Sequence, residues 1–128
     1  MIEFTIKRQL PSLNEYISQL NNNKYVGAKF KREMDMLCAS YCLGVKKSIR
    51  NMSDNAPVYI EFEWHERTRK RDVDNVYSAK KYILDGMQQA GALANDDPRH
   101  VADVRDKLIY DGRGFVIIKV MTFEEYKK

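Results

Sequence analysis

The sequence predicts an α+β fold: a single mixed β-sheet layer packed with two main helices. Three observations carry this. Alternating apolar and polar runs occur at Ile2–Arg8 and Val58–Trp64, and a dense apolar run stands at Phe115–Met121. Two longer stretches, Lys29–Ile49 and Asp74–Ala90, repeat their apolar residues at helical spacing. These signals follow one another through 128 residues with no linker, internal repeat or low-complexity segment, a length suited to one domain spanning 1–128.

Each element has its own reason. Ile2, Phe4 and Ile6 alternate with Glu3, Thr5 and Lys7, which gives a strand one buried face. Leu10-Pro11-Ser12-Leu13-Asn14 ends it, since proline has no donor for a ladder. Asn21–Asn23 reads as a polar loop. Phe30, Met34, Leu37, Cys38, Tyr41, Val45 and Ile49 form one stripe of a helix over 29–49, with Lys and Arg on the wet face. Asn51–Pro57 has the composition of a turn, and Val58–Trp64 that of a strand. His65–Arg71 has no periodicity and six ionisable side chains among seven residues, so it reads as a loop. Val76, Ala79, Ile83, Met87 and Ala90 stripe a second helix over 74–90, with Gly91 placed to cap its C-terminus. Asn95–Pro98 is a turn, and His100–Ile109 is a third strand interrupted by charges. Asp111-Gly112-Arg113-Gly114 reads as a hairpin turn into the last strand.

Composition excludes a disordered chain, because 44% of residues are hydrophobic. The net charge of +4, from 22 basic and 18 acidic residues, is compatible with anionic partners but selects none. Its distribution says more. Positive charge gathers at Lys29–Arg32, Lys46-Lys47, Arg67–Arg71 and Lys80-Lys81. Cys38 and Cys42 have no second pair nearby, so free buried thiols in a reducing compartment are expected rather than a zinc site or a disulfide framework. Nothing at the N-terminus resembles a signal peptide, and no apolar run is long enough to span a bilayer. The expected location is the cytoplasm, without a membrane partner.

The segment Arg69-Lys70-Arg71-Asp72-Val73-Asp74-Asn75 runs three cations into two carboxylates, and Asp96-Asp97 follows about twenty residues later. Carboxylates can hold Mg²⁺ and adjacent Lys or Arg can hold phosphate, which suggests metal-dependent chemistry on a nucleic-acid backbone. The same residues also fit a solvated surface loop. If the segment is extended with Val73 toward the core, Asp72 and Asp74 point to one side. Asp74 is also placed to cap the following helix. On that helix Asp74, Ser78, Lys81 and Asp85 form a polar row, so Lys81 either reaches a phosphate or pairs with Asp85. Lys80, a hundred degrees round, could take its place. A helix over 74–90 is about 25 Å long. Asp96 and Asp97 therefore reach Asp72 only through packing across the sheet edge, a shorter helix, or a second subunit.

Arg71-Asp72-Val73-Asp74-Asn75, Lys81–Gly86 and Gly91-Ala92-Leu93-Ala94-Asn95-Asp96-Asp97 resemble motifs of the RusA family of Holliday junction resolvases. Leu10-Pro11-Ser12-Leu13-Asn14-Glu15-Tyr16 resembles its N-terminal motif, and Tyr25-Val26-Gly27-Ala28-Lys29 the form found in phage and prophage members. The resemblance runs from the first strand to the last. It implies a RusA-like fold and a homodimeric endodeoxyribonuclease that uses Mg²⁺, with Mn²⁺ as substitute, to resolve four-way DNA junctions by symmetric paired nicks.

The same resemblance assigns Asp72, Asp74 and Asp96 to catalysis and metal binding, with Asp97 the fallback ligand. Lys81 becomes the catalytic lysine, although the family's usual spacing falls on Ser78, and Lys80 is the reserve. Arg67, Arg69, Lys70, Arg71, Asn75, Lys80, Lys29 and Lys31 are expected to contact branched DNA. His65 and His100 are not required. For a dimer, Tyr110, Phe115 and Ile117 near the last turn and the face of the 29–49 helix offer apolar contact surface, which the sequence does not distinguish from a core face. Two other readings remain open: a structure-selective DNA-binding dimer that does not cleave, and a metal-dependent nuclease acting on flaps or other branched DNA.

Overall fold

A computed structural model describes all of residues 1–128. In chain order the elements are β1 (Ile2–Ile6), α1 (Leu13–Asn22), α2 (Lys24–Cys42), α3 (Lys46–Asn55), β2 (Val58–Glu66), α4 (Val73–Tyr77), α5 (Lys80–Ala90), β3 (Val101–Tyr110), β4 (Phe115–Met121) and α6 (Phe123–Tyr126). The four strands form one sheet in the order β1-β4-β2-β3. β4 is antiparallel to both β1 and β2, whereas β3 is parallel to β2. This is an α+β fold with a single mixed sheet, and α2 and α5 are the major helices packed on it.

Alternation decides which face of the sheet is buried. Val58, Ile60, Phe62, Trp64 and Glu66 of β2 all point inward. Beside them in register lie Val116, Ile118 and Val120 of β4, then Phe4 and Ile6 of β1. Val76, Ala79, Ile83, Met87, Cys38, Cys42, Ile49 and Leu93 cover that face and complete the core. Both cysteines are buried free thiols, and burial pushes them up to about 12 for Cys38 and about 11 for Cys42. β3 keeps its charges because it is an edge strand. Asp103, Arg105 and Lys107 face outward, where charge discourages pairing with another chain. No helix is long and apolar enough to cross a membrane.

Several expectations change. The helix expected over 29–49 is two helices, α2 and α3, broken at Leu43-Gly44-Val45, where Val45 leaves the helical region. The turn expected at 51–57 is mostly the last part of α3. The polar residues Asn21 and Asn22 end α1, and Asn23 caps α2, its side chain accepting from the Tyr25 amide at 2.7 Å. The apolar pattern does not anticipate α1, although Ser12 and Glu15 have the spacing of a capping pair. Ser12 Oγ accepts from the Glu15 amide.

The helix expected over 74–90 is likewise two. Ser78 and Ala79 tighten the chain through bonds three residues apart, Ala79 to Val76 and Tyr82 to Ala79. Ser78 Oγ donates to the Asn75 carbonyl and accepts from the Leu13 amide, which pins α1 to this break. β2 continues through Glu66, so His65 belongs to a strand, not a loop. The Asp111–Gly114 turn does not close a hairpin. It carries the chain over the end of β2, joining strands that flank it, and the Gly112 amide donates to the Glu66 carbonyl.

Candidate active site

β1, β2 and β3 end, and β4 begins, at the same rim of the sheet. The segments leaving this rim carry Lys7 and Arg8 after β1, Arg67, Arg69 and Lys70 after β2, and Arg113 before β4. None of these side chains is in an ion pair. Unpaired cations gathered on one rim are a local source of positive potential.

A buried ion pair shapes the rim. Glu66 continues the inward alternation of β2 and is only 3% exposed, so its carboxylate needs a partner. Arg71 supplies it with a two-pronged fork, Nε to Oε1 and Nη2 to Oε2, both at 2.9 Å. Its Nη1 donates to the Leu10 carbonyl at 2.8 Å. The loop from Arg67 to Lys70 is thus closed at its base, and Arg69 lies over the Tyr110 ring at 4.1 Å. Arg71, expected to contact DNA, is engaged inside the protein.

Asp72 and Asp74 sit immediately beyond this clamp. Asp72 is extended and occupies the N-cap position of α4, while Asp74 lies in its first turn. The capping expected of Asp74 is absent, and Asp72 makes no side-chain capping bond either. The extended pair with Val73 facing the core is not what forms, because Val73 begins the helix and is exposed. Both carboxylates are exposed and have no hydrogen-bond or ion-pair partner. Asp96 is equally free at its carboxylate, its amide alone bonding to Asn95. Asp97 is not. It accepts from His100 Nδ1 and Arg99 Nη2, both at 2.8 Å, and these bonds hold its carboxyl well down, to about 2.

The structure separates these acids into two places. The Asp97 carbonyl accepts from the Val101 amide where β3 starts, and Val101 is in register with Val58 at the start of β2. Asp72 follows Arg71, which is clamped to Glu66 at the end of β2. The nine-residue strand between them spans about 26 Å. A single chain therefore does not bring Asp96 or Asp97 to Asp72 and Asp74, and no group of three or more His, Cys, Asp or Glu is placed to hold a metal ion. Two free carboxylates with hard oxygen donors fit Mg²⁺ as a partial ligand set.

The lysines divide as well. Lys80 Nζ lies 2.6 Å from Asp106 Oδ2, and Asp106 also accepts from Trp64 Nε1 at 2.9 Å, so Lys80 is fastened to the sheet. Lys31 bridges Asp35 and Asp85 at 2.6 and 2.7 Å. These bonds raise its pKa despite desolvation and join α2 to α5. Lys81 is 64% exposed and touches Asp85 at 3.1 Å, while Lys29 is open to solvent with Glu33 at 3.8 Å. Burial opposes the Asp85 charge, yet the bonds from Lys31 and Lys81 prevail and lower its pKa. The polar row expected from Asp74 to Asp85 is interrupted by the break at Ser78. Asn75 is half-buried, its carbonyl accepting from Ser78.

The sequence reading misses Lys7, Arg8 and Arg113, which only the strand order assembles. It also misses Glu66, which extended alternation along β2 would have marked as an inward carboxylate. Scanned against protein-family models the chain matches none, and no curated protein matches it significantly.

Proposed function

We propose that this protein is a Mg²⁺-dependent endodeoxyribonuclease that resolves four-way DNA junctions by symmetric paired nicks. The observation that carries the reading is the pair of unpartnered carboxylates, Asp72 and Asp74, beside a rim of unpaired cations. A protein that only bound DNA would gain nothing from free carboxylates facing phosphate, because like charges repel. The resemblance to RusA resolvases in the same residues supplies the substrate class.

Asp72 and Asp74 would hold the metal, which when bound lowers the pKa of a coordinated water and polarises the scissile phosphate. Arg67, Arg69 and Lys70 hold the DNA backbone at the rim. Lys81, exposed and loosely paired, offsets negative charge on the phosphoryl oxygens. Asp96 comes from a second copy of the chain, since its own Asp72 lies a strand's length away. Two such composite sites in one dimer give two related nicks. α1 offers a subunit surface that the sequence reading does not name. It buries no residue and exposes Leu13, Ile17 and Leu20 on one face. Tyr110, by contrast, lies under Arg69, and Phe115 stacks on His65 at 4.1 Å.

The test is incubation of purified protein with labelled four-way junction, flap and linear duplex, with and without Mg²⁺. Paired nicks in the junction that require the metal are expected. Cleavage of flaps in preference to junctions would favour the branched-DNA nuclease. Tight junction binding with no cleavage in Mg²⁺ or Mn²⁺ would favour the non-cleaving dimer.

A further inference from the structure

A cleft of about 450 Å³ opens between the end of β1, α1, α2 and the loop after β2. Its character is divided. Leu10, Pro11, Phe30 and Met34 give it an apolar part, and Phe30 is held edge-on to Tyr82 with ring centroids 6.5 Å apart. Arg8 and Arg67 stand at its wall and are in no ion pair. Arg71 also lines it, but its donors are turned to Glu66 and Leu10, so it fixes the cleft's shape rather than binding a ligand. Arg71 is also the residue that leads directly into Asp72.

We infer that this cleft receives one unpaired nucleotide, with its base against Phe30 and Met34 and its phosphate between Arg8 and Arg67. The volume lies in the range of small-ligand sites and holds a nucleotide rather than a stretch of duplex. An aromatic ring within an apolar wall suits a base, whichever base it is, and arginine suits the phosphate attached to it. A duplex offers no such base without unstacking. Branch points and single strands do so at low cost, which would make the cleft a reader of branched structure beside the carboxylates. Gly114, outside the cleft, bears on it through Arg67. A Cβ there would lie 2.7 Å from Arg67 Nε, so the glycine is what lets Arg67 lie across the turn. The inference rests on the proposed nuclease reading only for the source of the nucleotide.

Two measurements test it. In the first, deoxyadenosine monophosphate alone is titrated into the protein and followed by NMR. Shifts at Gln9, Leu10 and Phe30 that are absent with ribose 5-phosphate are expected, and they do not depend on nuclease activity. Equal shifts with both compounds, or none with either, would overturn the site. In the second, Asp72→Asn protein binds a four-way junction carrying 2-aminopurine at the branch point. A fluorescence rise of at least about twofold is expected as the base leaves the stack, with none when the probe sits deep within an arm. The Arg8→Ala/Arg67→Ala pair should bind the junction more weakly, and at protein concentrations where mobility shift shows the junction saturated the rise should still be absent. A bound junction with no rise, or a rise unchanged in the double variant, would sink the cleft but leave the nuclease reading intact. Nucleotide binding by NMR with no junction bound would keep the cleft and sink that reading.

Discussion

Asp72 and Asp74 differ from most carboxylates of this chain in having no partner, and that freedom sets what their removal should do. Asp72→Asn or Asp74→Asn should abolish strand cleavage and leave junction binding intact or tighter, because one negative charge near phosphate disappears. Cleavage and mobility-shift assays on the same preparation check this, and unchanged turnover would remove either residue from the chemistry. The two lysines should separate cleanly. Lys80→Ala leaves Asp106 half-buried with only Trp64 as donor, a loss of about 1–2 kcal/mol seen in urea melts. Lys81→Ala removes only an exposed pair and should change stability by less than about 0.5 kcal/mol while slowing single-turnover cleavage. Asp97 carries a pH signature. Its folded carboxyl is depressed to about 2 by His100 and Arg99, against about 3.9 when unfolded. Its contribution is complete above about pH 4 and is lost as the pH falls toward about 2. Asp97→Asn should flatten that acid limb, read by urea melts from about pH 5 down to about 2.

Between elements, α5 approaches the backbone of α2 closely at Gly86. A Cβ at Gly86 would lie 2.7 Å from Cys38 Cβ, 2.8 Å from the Asp35 carbonyl oxygen and 2.9 Å from the Ala39 amide nitrogen. Two of those neighbours are backbone and cannot turn aside. Gly86→Ala should therefore destabilise by about 1–3 kcal/mol through overpacking, measurable by thermal or urea unfolding. The Lys31 bridge to Asp35 and Asp85 spans the same helix pair. Helix boundaries are the least legible feature at this scale. The apolar stripe over 29–49 continues through Val45 and Ile49, so periodicity alone cannot register the break at Leu43-Gly44-Val45. At the break, Ser78 Oγ accepts from the Leu13 amide, 65 residues away in the chain.

For the whole molecule, the separation of Asp96 from Asp72 makes a specific prediction. In the proposed composite-site dimer, a mixed pair of Asp72→Asn and Asp96→Asn chains would contain one site with both changes and one with neither. Refolding the two together should restore single nicking of a junction, although each homodimer is inactive. Absence of rescue under conditions where subunits exchange would mean that each chain builds its own site. Sedimentation at micromolar protein should give twice the 15.0 kDa chain mass. Ile17→Glu on the exposed face of α1 should shift that mass to the monomer's, and a dimer that survives the change would place the subunit contact elsewhere.

The features legible in the chain before folding are local. Alternation marked the strands β1 and β2, a dense apolar run marked β4, a charge-interrupted run marked most of β3, the glycine at 91 marked a helix end, and the run from Arg69 to Asn75 marked the carboxylates worth testing. Gly91 does adopt the left-handed conformation, at φ +89°. These features are legible because each depends on neighbours a few residues apart. Tertiary structure alone decided which charges are free. Lys31 and Asp85 are 54 positions apart, and Lys80 and Asp106 are 26 apart, so no window of sequence reveals that these lysines are engaged. It also decided the strand order, which gathers Lys7, Arg8, Arg67 and Arg113 on one rim and sends Asp96 to the other. Ladder register is set by hydrogen bonds between distant segments and by burial of one shared face, and neither is written in any single strand.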